Sequence, residues 1–550
     1  MTTAMRRRHA AQGGAPRPLL DLLRWLRAHG SPDAGDIAML ARDLRLPAAE
    51  VRAALSYYTD LHTSPDALRV CRGTSCELAG ATQLADAMAP IWSSRPVYCL
   101  GFCDRSPTAL LPDSRVALRC APTDPTAALG GATMDPEPPS IHCAAPESIV
   151  TRYLVCGDHH ELARARSAGV YETVEAAIVR PPEEVLDTVE RSGERGRGGA
   201  AFPTGTKWRR CAEAASGEKY VVANGDEGDP GSYIDRALLE MDPHSILEGM
   251  LLCAHAIGAN RGVVFIRSEY PRALARMEHA VAQARSAGVL GSSVFGSYLS
   301  FDVEVFPGLG SYVCGEETAL LSAIEGFRGD VRLKPPYPVE RGLFGHPTVV
   351  DNVETLVQIP WIVARGWSAY RALGTQACPG TKALCFNRGF ARPGIVEVEL
   401  GMPLSRAIED EAGGAADGAP LDAVLLGGPM GSVVPRERWK DLPICYAAMR
   451  AKGVELGHGG IIALPAGADL RALIVHWLEF MQRESCGKCV PCRIGSDCAL
   501  EIARVGDGGL GRLLPLLDVV SQTSLCAFGQ RMPVPIRELI TRYQRSEGAT

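Results

Sequence analysis

Apolar residues recur at helical spacing in two stretches near the start of the chain, LLDLLRWLRAHG and IAMLARDLRLPAAEVRAALSYY, which predicts helices between about residues 17 and 62. Pro47 suits the first turn of the second, where its missing N–H removes no bond. Two short β-like runs follow, ALRVC and RPVYC, with a helical pattern over ATQLADAMAPI between them. Residues 121–140, APTDPTAALGGATMDPEPPS, lose all periodicity and have the composition of a linker. From about 150 to 365 the pattern alternates: KYVVANGD and GVVFIRS read as buried strands, and SILEGMLLCAHAIGA as the helix that joins them. That alternation predicts a largely parallel α/β sheet covered on both faces. Strand-like runs dominate between about 380 and 445 (KALCFN, GIVEVEL, DAVLLGG), and the last 85 or so residues read as helices. There is no internal repeat.

Length agrees with this division: 550 residues exceed one core, and at roughly 150 residues per domain three or four are expected. The boundaries drawn are 1–120, a linker at 121–150, an α/β domain at 151–375, a small β-rich domain at 376–460 and a helical domain at 461–550. Net charge is −6 without a long run of one sign, so nucleic acid is not an expected partner. No stretch approaches the roughly 18 apolar residues of a membrane span, and the basic N-terminus lacks a secretory apolar core. A cytoplasmic protein without direct membrane insertion is expected. His159-His160 reads as exposed linker.

Cysteine changes the picture. Eighteen are many for a cytosolic chain, where disulfides are rare, and eight fall into two sets of four. Cys71, Cys76, Cys99 and Cys103 lie just after the two β-like runs, so four thiolates would converge from adjacent strand ends. Four sulfurs without histidine suit zinc or an iron–sulfur cluster, and the x4 and x3 spacings favour [2Fe–2S] over zinc knuckles. Gly73, Gly80 and Gly101 would let backbone N–H groups approach the sulfurs. Cys486, Cys489 and Cys492, with remote Cys526, have the C-x2-C-x2-C spacing of [4Fe–4S]. Lys488 and Arg493 flank that set, and Cys498 lies on the following helix and is excluded. The other cysteines read as small core residues. Two clusters on one chain imply that electrons move through it.

The segment GERGRGGAAFPTGTKW (193–208) is rich in glycine and base, which suits either a surface loop or a cradle for a phosphate or a flat ring. It lacks the strand–GxGxxG–helix context of an ordinary dinucleotide fold. ANGDEGDPGSYIDR gathers Asn224, Asp226, Glu227 and Asp229 at the end of a predicted strand, where ligands of α/β sheets sit. SYVCGEETALL sets Gly315, Glu316 and Glu317 at a helix start, to complement its dipole or to accept hydrogen bonds from a ligand. His458 in GVELGHGG reads as a structural loop histidine.

With LKPPYPVERGLFGHPTVVDNVETL, ESCGKCVPCRIG and SLCAFG in the same order, residues 150–550 resemble the NADH-binding flavoprotein subunit of respiratory complex I and its soluble relatives. Those relatives include NAD-dependent formate dehydrogenases and NAD-reducing hydrogenases. Residues 17–120 resemble the thioredoxin-like [2Fe–2S] subunit of the same assemblies. The resemblance implies a multidomain α/β chain: a thioredoxin-like [2Fe–2S] domain, a Rossmann-like FMN/NAD domain, a β-grasp-like domain and a helical [4Fe–4S] domain. It implies FMN contacts from Gly196, Arg197, Gly198, Lys207, Asn224, Asp226, Gly315, Glu316, Glu317 and Asn352, and NAD contacts from Phe202, Asp229, Lys334 and Tyr337, with the aromatic rings stacking on bases. Four positions depart from the family: Ala201 replaces a glycine, Asp229 shortens an acid, Asp351 replaces an asparagine, and GGPMGS replaces GGPSGG. The last leans toward the formate dehydrogenase branch.

The implied reaction is reversible hydride exchange between nicotinamide and FMN, followed by single-electron transfer through the clusters. No side-chain acid or base is assigned. No molybdopterin or nickel–iron constellation is present in the sequence, so a partner subunit would supply the primary chemistry. The expected partner is a molybdenum formate dehydrogenase alpha subunit in a hetero-oligomer. A hydrogenase or complex I diaphorase is the alternative, and a zinc-stapled scaffold without catalysis the reading from another class.

Overall fold

The computed structural model describes residues 32–547 apart from 63, 65 and 506–509, together with 21, 22, 25 and 29. The first predicted helix therefore lies largely outside the described residues. The second becomes Ala34–Leu44 and Ala48–Tyr57, broken where Arg45 enters the left-handed region and Pro47 precedes a new first turn. Asp33 caps the former with a reciprocal Asp36 bond.

The first sheet has the order β2-β1-β3-β4, from β1 (Leu68–Cys71), β2 (Ser94–Val97), β3 (Ala109–Leu110) and β4 (Val116–Ala117). β1 and β2 run parallel, with helix Ala81–Met88 between them in sequence, and both point their carboxyl ends at the first cysteine set. This is the thioredoxin-like domain.

The expected linker is partly structured. It forms helix Pro125–Gly130 and β5 (Ile141–Cys143), which adds a parallel edge to a later sheet. The following segment is fixed by Glu397, whose buried carboxylate accepts from the N–H groups of Ile149, Val150 and Thr151, each at 2.9 Å. A glutamate inside GIVEVEL gives no sign of this role in sequence. His159, expected to be exposed, is buried, and its Nδ1 lies 3.0 Å from the Gly157 carbonyl oxygen.

The α/β domain carries an all-parallel sheet of β6 (Tyr220–Gly225), β7 (Arg261–Ile266), β8 (Asp302–Pro307) and β9 (Thr348–Asn352), in the order β8-β7-β6-β9. Burial on both faces explains the continuous apolar runs of β6, β7 and β9, whereas edge strand β8 alternates buried and exposed positions. Helix Pro243–Ile257 is buried along its whole length, which is why its apolar residues show no single stripe. Tyr58, Leu55 and Val51 of the N-terminal helices pack in one apolar cluster with Val222, Phe265 and Phe306 of this sheet.

The β-rich domain is a six-stranded mixed sheet, β13-β12-β14-β10-β11-β5, from β10 (Thr381–Phe386), β11 (Gly394–Glu399), β12 (Leu421–Leu426), β13 (Ser432–Pro435) and β14 (Gly460–Pro465). It therefore extends past residue 460. The C-terminal helices, Leu470–Glu484, Val490–Arg504, Leu510–Thr523, Ala527–Arg531 and Pro533–Glu547, form the last domain. Their core also takes in Tyr98 and Tyr312 from the other domains. Among the described residues no helix is long and apolar enough to cross a membrane.

Candidate functional site

The register of the parallel sheet fixes the centre of the site. Asn224 and Asn352 are direct partners at the carboxyl ends of β6 and β9. The chain leaves β6 into Asp226–Asp229 and leaves β9 into helix Val353–Arg365, whose first turn Asn352 caps by accepting from the Glu354 N–H. Asn224 donates to the Gly315 carbonyl at 2.9 Å, drawing in the third segment. The glycine-rich loop closes over the same place: a Cβ on Gly198 would lie 3.1 Å from the Asn352 Cβ. Gly198, Asn224, Asp226, Gly315 and Asn352 thus meet in one crevice at the sheet's carboxyl edge, while Gly196, on the same loop, donates its N–H to the Phe202 carbonyl.

Here the Asp226 side chain, 3% exposed, leaves Oδ2 without a hydrogen-bond partner, and the carboxylate lies beside Gly315. Burial raises its pKa well above the usual carboxylate range, against the pull of Arg267. An enclosed carboxylate oxygen without a hydrogen-bond partner, between two glycine-bearing loops, fits a ring with polar N–H groups, which is the donor pattern FMN presents.

Other expected contacts are engaged with protein. The Arg197 guanidinium is buried in an ion pair with Glu194 at 2.6 Å and donates to Tyr370 at 2.7 Å, so its side chain holds the loop rather than facing the crevice. Lys207 pairs with Asp351 at 2.6 Å and donates to the Val350 carbonyl; the departure to aspartate at 351 gives this lysine a charged partner. Glu316 accepts from the N–H groups of Thr318 and Ala319 as an N-cap, and with Glu317 it binds Lys334 at 2.9 and 2.6 Å. Ala201 sits at φ +54, a left-handed conformation that costs alanine about 1–2 kcal/mol.

Phe202 and Tyr337 present half-exposed rings, as a base-stacking role requires. Asp229 receives a hydrogen bond from the Tyr312 hydroxyl and is raised in pKa chiefly by burial. Three residues stand out beyond those expected. Tyr312 packs edge-on against Phe480 at 5.0 Å and so ties Asp229 to the helical domain. Arg267 reaches both Glu227 and Tyr98 through their carbonyls. His458 is buried, with Asp235 at 3.3 Å and Glu227 at 3.8 Å. Burial opposes its charge, but Asp235 and then Glu227 push its pKa up to about 9. The only sequence sign of this is a histidine among glycines.

The first cysteine set is deeply enclosed: Cys71, Cys76, Cys99 and Cys103 are each 1% exposed, and the Cys99 and Cys103 sulfurs are 3.4 Å apart. The Gly101 N–H points at the Cys99 sulfur at 3.3 Å, and a Cβ on Gly73 would press on Cys99. Gly80 instead lies beside Gln83 and Pro122, away from the sulfurs. The Cys103 thiol is raised in pKa by its bond to Cys99 and by burial; crowded thiols of this kind favour a cation that takes all four as thiolates. The second set surrounds helix starts. Cys489 and Cys526 are N-caps of Val490–Arg504 and Ala527–Arg531, Cys486 and Cys492 are buried, and Ser485 lies 3.2 Å from the Cys492 sulfur. Lys488 pairs with Asp330, and Arg493 donates to the Gly487 carbonyl. Cys498 lies farther along helix Val490–Arg504.

The profile of the Nuo51 FMN-binding domain of complex I matches residues 189–361. That of the NADH-ubiquinone oxidoreductase-F iron–sulfur binding region matches 472–549, and that of the thioredoxin-like [2Fe–2S] ferredoxin matches 7–129. The NADP-reducing hydrogenase subunit HndC of Solidesulfovibrio fructosivorans is 42% identical over 372 residues, 66% of this chain and 76% of that protein. An NADH-quinone oxidoreductase subunit of Rhizobium meliloti is 38% identical over 405 residues, 72% and 96% of the two chains. The crystal structure of an NAD+-reducing [NiFe]-hydrogenase in its H2-reduced state superposes with a TM-score of 0.81 at 31% identity, covering 96% of this chain and 92% of that one. The chain therefore belongs to the family of NADH-binding FMN and iron–sulfur subunits of complex I and its relatives, with a thioredoxin-like [2Fe–2S] domain joined ahead of the flavoprotein.

Proposed function

We propose that this chain exchanges hydride with NAD(H) and passes single electrons to or from a partner subunit that carries the primary substrate site. The observation that supports this most is the convergence of the glycine-rich loop with the ends of β6 and β9, on a chain that also gathers one fully buried and one partly exposed set of four cysteines. FMN bound there supplies the conversion between a two-electron hydride and one-electron steps. Gly196, Gly198, Gly315 and Asn224 shape its cradle, Asp226 accepts a hydrogen bond through its free oxygen, and Asn352 abuts the loop. Phe202 and Tyr337 offer rings to the nucleotide bases, and Lys334 and Asp229 its polar contacts. Cys71, Cys76, Cys99 and Cys103 hold [2Fe–2S]; Cys486, Cys489, Cys492 and Cys526 hold [4Fe–4S].

The donor we assign is formate, oxidised on a molybdenum subunit, with NAD+ reduced here. It rests on GGPMGS, in which Met430 and Ser432 depart from the family's GGPSGG. Hydrogen as donor is favoured instead by the hydrogenase relatives. Purification from the native host with metal analysis tests both: molybdenum with formate-dependent NAD+ reduction supports formate, and nickel with H2-dependent reduction overturns it.

A further inference from the structure

The loop bearing Cys99 and Cys103 is gripped from the flavin side by two arginines. Arg267, just past β7, donates from Nη2 to the Tyr98 carbonyl at 2.8 Å and from Nη1 to the Glu227 carbonyl at 2.6 Å. The first carbonyl belongs to the peptide leading into Cys99. The second lies in the segment between Asp226, on the flavin side, and Asp229, on the nucleotide side. Arg236, on helix Ile234–Met241, donates to the Gly101 carbonyl at 2.9 Å and lays its guanidinium 3.9 Å from the Phe102 ring centre. Tyr270 completes the contact, donating to the Glu227 carbonyl at 3.1 Å while filling the space where a Gly101 side chain would stand.

Both arginines are at most 3% exposed. Arg236 is balanced by Glu240 at 3.1 Å. Arg267 has Glu269 at 3.0 Å and Asp226 at 4.0 Å. A clamp needed only for packing would not require a buried charge whose two forks end on the cluster loop and on the flavin-site segment. Charges in such surroundings act strongly at short range. A cation beside an iron–sulfur site favours the form that has gained an electron, and hydrogen bonding around the sulfurs tunes the same quantity.

The geometry points to Arg267 as the positioning residue that couples the two redox sites: it locks the Cys99 loop to the flavin-site segment and holds the potential of the enclosed cluster up, with Glu269 as the opposing charge. This rests on the assignment of Cys71, Cys76, Cys99 and Cys103 as [2Fe–2S] ligands.

Redox titration of the full chain, followed by the EPR signal of the two-iron cluster, tests it. Arg267→Gln lowers the reduced-to-oxidised ratio about tenfold at a fixed ambient potential, equivalent to about 59 mV for a one-electron couple. Glu269→Gln moves the midpoint the opposite way, and Arg267→Lys, which keeps the charge, falls between wild type and Arg267→Gln. Glu269→Gln provides the reading if the arginine variants fail to fold. A midpoint unmoved in Arg267→Gln, or displaced in the same direction by Glu269→Gln, overturns the inference alone. Wild-type protein without a two-iron signal overturns the ligand assignment beneath it.

Discussion

The two cysteine sets differ in depth and in what surrounds them. Those of the thioredoxin-like domain are wholly enclosed and face inward, onto β7, helix Ile234–Met241 and the aromatic contact of Tyr98 with Phe480 at 5.1 Å. Those of the helical domain include the partly buried Cys489 and Cys526, and beside them Val490 and Ile494 expose apolar side chains one helical turn apart. One site is built into the junction of domains; the other lies where a partner can approach it. On the proposed reading, depth separates a cluster that answers to the flavin from one that exchanges electrons with a partner, and the same ligand type serves both.

The largest effect that would break this contrast comes from the ligands. Cys99→Ser removes the two-iron EPR signal and also lowers the melting temperature, because the loop it anchors is packed between domains. Cys489→Ser removes the four-iron signal and partner-dependent turnover while leaving NADH-dependent dye reduction and melting nearly as in wild type. Equal thermal losses in the two variants would remove the distinction.

Next is the support of the crevice. Glu194→Ala strands the buried Arg197 charge, and denaturant unfolding is expected to lose about 3–5 kcal/mol with release of FMN. His458 gives a pH signature. Its pKa is raised in the folded chain to about 9, from about 6.5 when unfolded. Its stabilising contribution is therefore complete below about pH 6.5 and lost as pH rises through about 9, on the order of 3 kcal/mol in all. His458→Gln removes that slope and is less stable than wild type on the acid side, as chemical denaturation across this range would measure. The smallest effect is at the link between the crevice and the helical domain: Tyr312→Phe keeps the ring contact with Phe480 but loses the Asp229 bond, costing about 1.5–3 kcal/mol by denaturant unfolding.

Much of this architecture is legible in sequence because its signals are local. Cysteine spacing, the apolar runs of β6 and β7, and the helical periodicity of the last domain all depend on near neighbours. What escapes depends on residues far apart. Glu397 looks like a solvent-facing strand residue until it collects three N–H groups from 149–151, and β5 joins a strand some 250 positions later. Arg197 sits in the expected loop and Lys207 on helix Thr204–Glu213 that follows it, yet Glu194 and Asp351 engage their charges. Arg267 and Tyr312 act across domain junctions, which no local pattern marks. The crevice as a place is readable; the distribution of charge inside it is not.

The cofactor content of the intact chain, prepared anaerobically with its native partner, decides whether electrons cross it as proposed. Acid extraction with iron analysis, joined to EPR of the NADH-reduced protein, is expected to yield FMN together with one two-iron and one four-iron signal. Zinc in place of iron, or an extract free of FMN, would contradict it.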